Sequence, residues 1–105
     1  MQRREVVFSP EARADLEYLY DYIAERSGPT RAIAYLERIE AFCRRFDLAS
    51  ERGMRRNDIR PGLRIVGFER RVTIAFHVDE DTVTINRVLY GGRDLDRAFG
   101  ADDDV

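Results

Sequence analysis

The spacing of apolar residues changes once along the chain, from helical in the first half to strand-like in the second. A short apolar run from Glu5 to Phe8 predicts an opening strand. Two stripes at helical spacing follow and predict two amphipathic helices. The first stripe comprises Ala12, Leu16, Leu19, Tyr20 and Ile23, and the second comprises Ile33, Leu36, Ile39, Cys43 and Phe46.

Turn residues mark the ends of both predicted helices. Ser9 can cap the first helix, and Pro10 suits its first turn. Gly28 and Pro29 end that helix, and Thr30 can cap the next one. Because so few residues separate the two helices, we expect an antiparallel αα-hairpin.

The second half of the chain predicts three strands in sequence. Residues 50–62 form an arginine-rich connector whose glycines and proline argue against regular structure. Residues 63–68 are extended, residues 72–78 alternate between apolar and polar side chains, and residues 82–90 form the last strand. In that last strand the alternation puts Val83, Ile85 and Leu89 on one apolar face. Arg87 would fall on that face too, so we predict a β-bulge near it.

These elements define one α+β domain of order β-α-α-β-β-β, with the αα-hairpin packed on one face of a small, mostly antiparallel sheet. The 105 residues suffice for one hydrophobic core, so we assign 1–105 to a single domain with a frayed acidic tail at 100–105. No apolar run is long enough to cross a membrane, and the N-terminus lacks the apolar core of a secretory signal. The single cysteine, Cys43, cannot form an internal disulfide, which fits a cytoplasmic protein.

Charge is distributed unevenly along the chain. All 18 basic residues are arginine, a side chain that binds carboxylates and phosphates in a bidentate manner but exchanges protons poorly. Residues 52–71 contain seven arginines and two acids, a local charge of +5, whereas residues 72–105 have a local charge of −5. The basic segment is either a binding surface for an anionic partner or a solvated loop, and the sequence leaves both readings open.

Motifs for metal or cofactor chemistry do not occur in the sequence. One histidine and one cysteine give no metal-ligand spacing, and Gly91-Gly92 lacks the lysine or hydroxyl residue of a phosphate-binding loop. We therefore expect neither a metal nor a cofactor. His77 is the one side chain that commonly transfers protons near neutral pH, but the alternation of its strand points it away from the core. An exposed or edge histidine is the simpler interpretation.

Three segments, in this order, resemble one family. They are V-x-F-S-P-E-A-x-A-D-L-E from Val6, Y-D-Y-I-A-E from Tyr20 and R-V-L-Y-G-G-R-D-L from Arg87. Together with R-P-G-L-R before the strands, they resemble the RelE/ParE toxin superfamily of bacterial type II toxin–antitoxin modules over residues 5–99. The resemblance implies a toxin with a cognate antitoxin as its partner.

That superfamily has two activities, and the residues favour one of them. RelE-like members cleave mRNA on the ribosome, whereas ParE-like members poison DNA gyrase. Arg64 and Arg93 match the nuclease pattern, but Val66, Thr73 and Phe99 stand where that pattern has a lysine, an arginine and a tyrosine. The resemblance therefore implies a ParE-like protein that inhibits gyrase by binding rather than by catalysis.

Two alternatives remain open at this stage. An alignment shifted by one residue would restore an mRNA endoribonuclease whose catalytic set is Arg64, Arg71, His77, Tyr90 and Arg93. The third reading is a toxin-like fold that has lost its toxicity and only binds a partner.

The resemblance also implies binding residues. The ParE-like motif before Gly-x-Arg-Asp reads V-L-H-G, and Tyr90 replaces its histidine here. We expect Arg87, Tyr90 and Arg93 to contact the target, with Arg87 tied to the sheet by Asp94. We expect an acidic antitoxin segment to lie across the basic connector and the tyrosines of the first helix. The residues of that surface are Arg55, Arg56, Arg60, Tyr18 and Tyr22.

Overall fold

The computed structural model describes residues 3–91 and 98–99, so the predicted tail at 100–105 lies outside the described residues. Two helices pack on one face of a five-stranded, mostly antiparallel sheet, which confirms the predicted α+β architecture. The strands are β1 (Glu5–Phe8), β2 (Met54–Arg55), β3 (Arg64–Phe68), β4 (Val72–Val78) and β5 (Thr82–Tyr90). The helices are α1 (Pro10–Ser27) and α2 (Pro29–Arg44), followed by a 3₁₀ turn at Arg45–Asp47.

Local capping explains where α1 begins and where the hairpin turns. The Ser9 hydroxyl accepts a hydrogen bond from the backbone N–H of Ala12 at 3.1 Å, and Pro10 fills the first helical turn. At the other end Gly28 has φ of +95°, a conformation that only glycine adopts readily. Pro29 then begins α2 directly, so one residue separates the two helices.

The sheet order is β1-β5-β4-β3-β2, with β1 parallel to β5 and the other pairs antiparallel. The β4–β5 register shifts between Ala75 and Phe76, so that Asn86 is the extra residue. This confirms the predicted bulge near Arg87. The bulge returns Val88 to the main core, and the prediction that Leu89 shares a face with Val83 and Ile85 is therefore wrong.

The main core lies between the helices and the sheet. Phe46, Phe76, Leu19, Ile39, Ile74 and Ile85 are its largest fully buried side chains. Ala32 is buried on α2, whereas Ile33 is 49% exposed, so the prediction that Ile33 belongs to the buried stripe is wrong by one position. On the other face of the sheet Leu63, Ala75 and Phe99 form a smaller cluster.

The connector contains one regular element that the sequence did not predict. The two-residue strand β2 pairs with β3 through Met54–Ile65 and Arg55–Arg64. Gly53 makes this pairing possible, because it has φ of +77° and a Cβ atom there would overlap the carbonyl oxygen of Ile65. Within the described part of the chain, neither helix is long and apolar enough to cross a membrane.

Candidate binding site

An open groove of about 450 Å³ lies where the helical hairpin meets the β3–β4 turn. It brings together Tyr22 of the predicted antitoxin surface and two members of the nuclease alternative, Arg71 and Tyr90. Tyr90 also belongs to the predicted target-binding set. We call it the tyrosine–arginine groove. Its lining residues are Tyr22, Ile23, Arg26, Ser27, Arg31, Ala34, Tyr35, Arg38, Glu69, Arg71 and Tyr90.

Three tyrosines form the floor of this groove. The ring centroid of Tyr90 lies 5.5 Å from that of Tyr22 and 6.4 Å from that of Tyr35, the latter in an edge-to-face arrangement. The Arg26 guanidinium covers the Tyr22 ring at 3.8 Å, and the Arg38 guanidinium lies 5.0 Å from the centroid of Tyr35. Each of the three rings therefore already contacts a cation or another ring.

The groove carries a positive charge, because four arginines and one glutamate line it. Arg38 holds Glu69 in a bidentate pair with both N···O distances at 3.0 Å, and this hydrogen bonding lowers the pKa of Glu69. Arg31 and Arg71 have no carboxylate partner among the described residues. Within the described part of the chain, these are the two groove arginines without a carboxylate partner.

The Tyr35 hydroxyl is buried at the groove and has no hydrogen-bond partner within the described residues. Desolvation raises the pKa of Tyr35, with smaller contributions from Glu69 and Tyr90, while Arg38 and Arg71 oppose the shift. The hydroxyl therefore stays protonated at neutral pH. An unsatisfied buried hydroxyl costs about 1–3 kcal/mol, so the fold retains a local penalty here.

The β3–β4 turn, which forms one wall of the groove, is also strained. Glu69 and Arg70 both adopt positive φ, at 49° and 65°. Asparagine and glycine are the usual residues of such a hairpin turn, since other side chains in this conformation cost about 1–2 kcal/mol each. Here the turn keeps two charged side chains, and one of them, Glu69, anchors Arg38.

Among the described residues, the carboxylate partner of Arg87 is Asp15. Its guanidinium forms a bidentate ion pair with Asp15 of α1, at 2.8 and 2.9 Å. Asp94, the partner inferred from the sequence, lies outside the described residues. Asp15 also accepts a hydrogen bond from the backbone N–H of Val88 at 2.8 Å, beyond the point where β1 stops pairing with β5 at Ile85. The hydrogen bonds to Asp15 raise the pKa of Arg87.

Of the three connector arginines predicted to bind the antitoxin, Arg56 and Arg60 already have local contacts. Arg56 forms a bidentate pair with Asp58 at 2.8 and 2.9 Å, which lowers the pKa of Asp58. The Arg60 guanidinium lies 4.9 Å from the centroid of Phe99. Arg55 is exposed on the edge strand β2.

Comparison with known proteins assigns the chain to a family. The model of the ParE toxin of the type II toxin-antitoxin system, parDE, matches residues 6–95. This chain belongs to the ParE toxin family. No curated protein sequence is significantly similar to it.

Solved structures show the same fold at low sequence identity. A chromosomal ParDE TA system from P. aeruginosa has a chain with a TM-score of 0.74 and 23% identity, covering 85% of this chain and 97% of its own. The toxin–antitoxin complex RelBE2 from Mycobacterium tuberculosis has a chain with a TM-score of 0.60 and 21% identity, covering 86% of this chain and 93% of its own. Both therefore support the ParE-family fold.

The residues of the nuclease alternative do not converge in this ParE-family chain. Arg71 and Tyr90 lie at one end of β4, since Val72 pairs with Tyr90. His77 lies about 16 Å further along the strand. Arg64 pairs with Phe76 and shares its helix-covered face, whereas His77 points to the other face. Arg93, the fifth member, lies outside the described residues.

His77 has a structural environment. Its Nδ1 lies 2.6 Å from Oδ1 of Asn86, and its Nε2 lies 3.3 Å from the carbonyl oxygen of Pro61. Each ring nitrogen thus faces a protein oxygen. The side chain joins the connector to the bulge in β5 and directs neither nitrogen at a substrate.

Sequence reasoning missed most of the groove. Tyr35, Arg31 and Arg38 are spaced at three and four positions along α2, which places them on one helical face. Tyr22 and Arg26 are spaced in the same way on α1. This periodicity of tyrosine and arginine was the available signal, but it became informative only when the two faces were known to meet.

Proposed function

We propose that this ParE-family chain inhibits growth in the bacterial cytoplasm by binding DNA gyrase, and that a cognate antitoxin neutralises it. The observation that supports this proposal is that Arg64 and His77 lie at the opposite end of the sheet from Arg71 and Tyr90. Arg64 and His77 also point to different faces of the sheet. Occupancy of the target requires no convergent set of proton-transfer groups. Inhibition by binding therefore fits this arrangement better than catalysis does.

The chemistry of RNA cleavage supports the same choice. In-line attack by a 2′-hydroxyl needs a base within about 3 Å of the proton and a donor for the leaving group. The described residues of the groove offer arginines, which stay protonated, and tyrosines whose rings pack against one another. They can bind an anion but provide no evident base.

In this proposal Tyr90 and Arg93 contact the target, whereas Arg87 has a structural role. Tyr90 lines the groove at the end of β5, where the chain leaves the sheet. Arg87 is largely buried in its pair with Asp15, so it positions α1 against the strand that carries Tyr90. Arg93 lies outside the described residues and remains in the proposal on the strength of the sequence motif alone.

The antitoxin surface is proposed to extend from α1 to the connector. Tyr18 is 57% exposed and stacks beside Tyr22 at 6.4 Å, while Arg55 and Arg60 are exposed beyond β3. A segment that contacts both regions has to run from α1 to the β2 edge of the sheet.

Expression of the chain without an antitoxin tests this proposal. We expect growth arrest, altered plasmid supercoiling and a DNA-damage response while transcripts stay intact, and we expect the purified chain to inhibit gyrase in vitro. Rapid cleavage of ribosome-bound transcripts with normal supercoiling would show that the nuclease alternative is correct. Normal growth in a host with a sensitive gyrase would instead favour a toxin-like fold that only binds a partner.

A further inference from the structure

A second pocket, of about 330 Å³, lies at the opposite end of the sheet from the tyrosine–arginine groove, where β3 begins and β4 ends. We call it the arginine pocket. Its charged lining residues are the arginines Arg4, Arg55 and Arg64 and the acids Glu51, Asp79 and Glu80. The proposed gyrase contact uses none of these side chains.

Two of the three arginines lie directly opposite each other on neighbouring strands. Arg55 of β2 pairs with Arg64 of β3, so both side chains leave the same face of the sheet. Like charges in this arrangement repel each other, and the pairing depends on the close approach of Gly53 to β3 at positive φ. The fold therefore holds two guanidinium groups side by side against their mutual repulsion, and a bound anion would relieve that repulsion.

Backbone carbonyls and a serine, rather than carboxylates, position the guanidinium groups. Arg4 donates through Nε to the carbonyl oxygen of Asp79 at 2.7 Å and through Nη1 to the hydroxyl of Ser50, a buried side chain, at 3.3 Å. Arg64 donates through Nη1 to the carbonyl oxygen of Arg52 at 3.2 Å. Within the described part of the chain, no carboxylate forms a salt bridge with any of the three pocket arginines. Their positive charge is therefore fixed in place without being neutralised.

The lining of the pocket favours a small anion that also carries hydroxyl groups. A phosphate monoester has about two negative charges near neutral pH, and arginine binds phosphate in a bidentate manner. The acids Glu51 and Glu80 would repel a continuous phosphate backbone, but carboxylates accept hydrogen bonds from hydroxyl groups. Among the described lining residues Val78 is the apolar one and none is aromatic, so the pocket offers no ring on which a nucleobase can stack.

We propose that the arginine pocket binds a sugar phosphate. Arg4, Arg55 and Arg64 hold the phosphate, and the acids of the pocket accept hydrogen bonds from the sugar hydroxyls. This inference goes beyond the proposed function, because neither gyrase inhibition nor neutralisation by an antitoxin requires a small ligand. Arg55 also belongs to the proposed antitoxin surface, so the test uses the chain alone.

Isothermal titration calorimetry of the purified chain tests the proposal, with ribose 5-phosphate as the probe. We expect ribose 5-phosphate to bind at least about tenfold more tightly than inorganic phosphate, and we expect no binding of ribose. The Arg55→Gln/Arg64→Gln variant should bind ribose 5-phosphate about tenfold more weakly or worse, a loss of about 1.4 kcal/mol or more. Equal affinity of the wild-type chain and this variant would overturn the proposal, and so would the absence of binding to the wild-type chain.

A matched control removes the same charge elsewhere. Arg13 of α1 and Arg70 of the β3–β4 turn are exposed and do not line the pocket. The Arg13→Gln/Arg70→Gln variant should change the affinity by less than about twofold at physiological ionic strength, because distant charges are screened. A loss as large as that of the pocket variant would mean that net charge attracts the phosphate, which contradicts a defined site. Circular dichroism verifies that both variants are folded.

Glu51→Ala distinguishes a sugar phosphate site from a simple anion site. The loss of a hydrogen-bond acceptor should weaken the binding of ribose 5-phosphate by about threefold or more. The loss of a negative charge should leave the affinity for inorganic phosphate unchanged or raise it. Equal affinities of the wild-type chain for ribose 5-phosphate and inorganic phosphate would overturn the assignment to a sugar phosphate. Binding of AMP more than about tenfold tighter than that of ribose 5-phosphate would also overturn it, because the base would then supply the main contacts.

Discussion

At the scale of single residues, the pair between Asp15 and Arg87 fixes how the helical hairpin sits on the sheet. The Asp15 side chain is 6% exposed and that of Arg87 is 18% exposed, so both charges are largely removed from water. A carboxylate in this position is stable only with several donors, and Asp15 has two from Arg87 and one from the backbone of Val88. The same carboxylate therefore accepts hydrogen bonds from the Arg87 guanidinium and from the backbone N–H of Val88 at the edge of β5.

Replacing Asp15 with alanine should destabilise the chain strongly. The change leaves the Arg87 guanidinium and the Val88 N–H without their partner, and the expected loss is about 3 kcal/mol of unfolding free energy. Urea denaturation measures it. Asp21→Ala, at an exposed position of the same helix, is the control and should cost less than about 0.5 kcal/mol. Similar midpoints for the two variants would contradict a structural role for Asp15.

Cys43 makes folding stability sensitive to alkaline pH. Its burial raises the pKa of the thiol to about 12. In the unfolded chain a cysteine loses its proton near pH ~8.5, so above that pH the unfolded state binds fewer protons than the folded state and stability falls. At about pH 10 this effect should reach about 2 kcal/mol.

Cys43→Ala isolates that contribution, because alanine has no proton to lose. Urea unfolding at about pH 8 and about pH 10 should give a smaller decrease in stability for the variant than for the wild-type chain. The variant loses some packing at both pH values, so the difference between the two decreases is the informative quantity. Equal decreases would mean that the thiol does not titrate differently on unfolding.

At the scale of elements, alanine substitutions at two glycines separate the stability cost of backbone strain from that of a steric clash. Gly53 and Gly91 both have positive φ, but only Gly53 approaches another strand so closely that a Cβ atom would overlap backbone. Gly91→Ala should therefore cost about 1 kcal/mol from its backbone conformation alone. Gly53→Ala should cost about 3 kcal/mol or more, because β2 must also move away from β3. Thermal unfolding of both variants measures the difference, and equal effects would mean that β2 adjusts freely.

Glycine substitutions at two neighbouring positions of the β3–β4 turn should change the stability of the chain in opposite directions. Arg70→Gly relieves a positive φ and should stabilise the chain by about 1 kcal/mol. Arg71 is not among the residues with positive φ, so Arg71→Gly should destabilise it by about 0.5–1 kcal/mol through the entropy of the unfolded chain. Urea denaturation of the two variants gives the signs directly. Stabilisation by both substitutions would show that the strain extends beyond the turn.

Elements with a local signal were predictable from the sequence, and those defined by a distant partner were not. Ser9, Pro10 and Gly28 mark helix ends through their own local chemistry. The bulge was predictable because strict alternation would have put Arg87 on the apolar face of its strand. Strand β2 has two residues and no alternation, so only its pairing with β3 defines it. The partner of Arg87 lies 72 positions away, and no local pattern identifies it.

At the scale of the whole molecule, the sheet separates residues that the sequence alone would allow in one site. The groove, with Arg71 and Tyr90, lies at the end of β4 next to the hairpin, while Arg64 and His77 lie near its other end. Inhibition by binding through the groove end should therefore not depend on Arg64 or His77. Cleavage by the nuclease alternative would depend on both.

The Arg64→Gln/His77→Gln variant puts this separation to the test. We expect it to arrest growth and to inhibit gyrase supercoiling within about twofold of the wild-type chain, since screening limits the reach of the lost charge at Arg64. Both positions are partly exposed, and their hydrogen bonds to backbone and Asn86 are compatible with glutamine. Loss of toxicity in a variant that remains folded by circular dichroism would place these residues in the mechanism and revive catalysis.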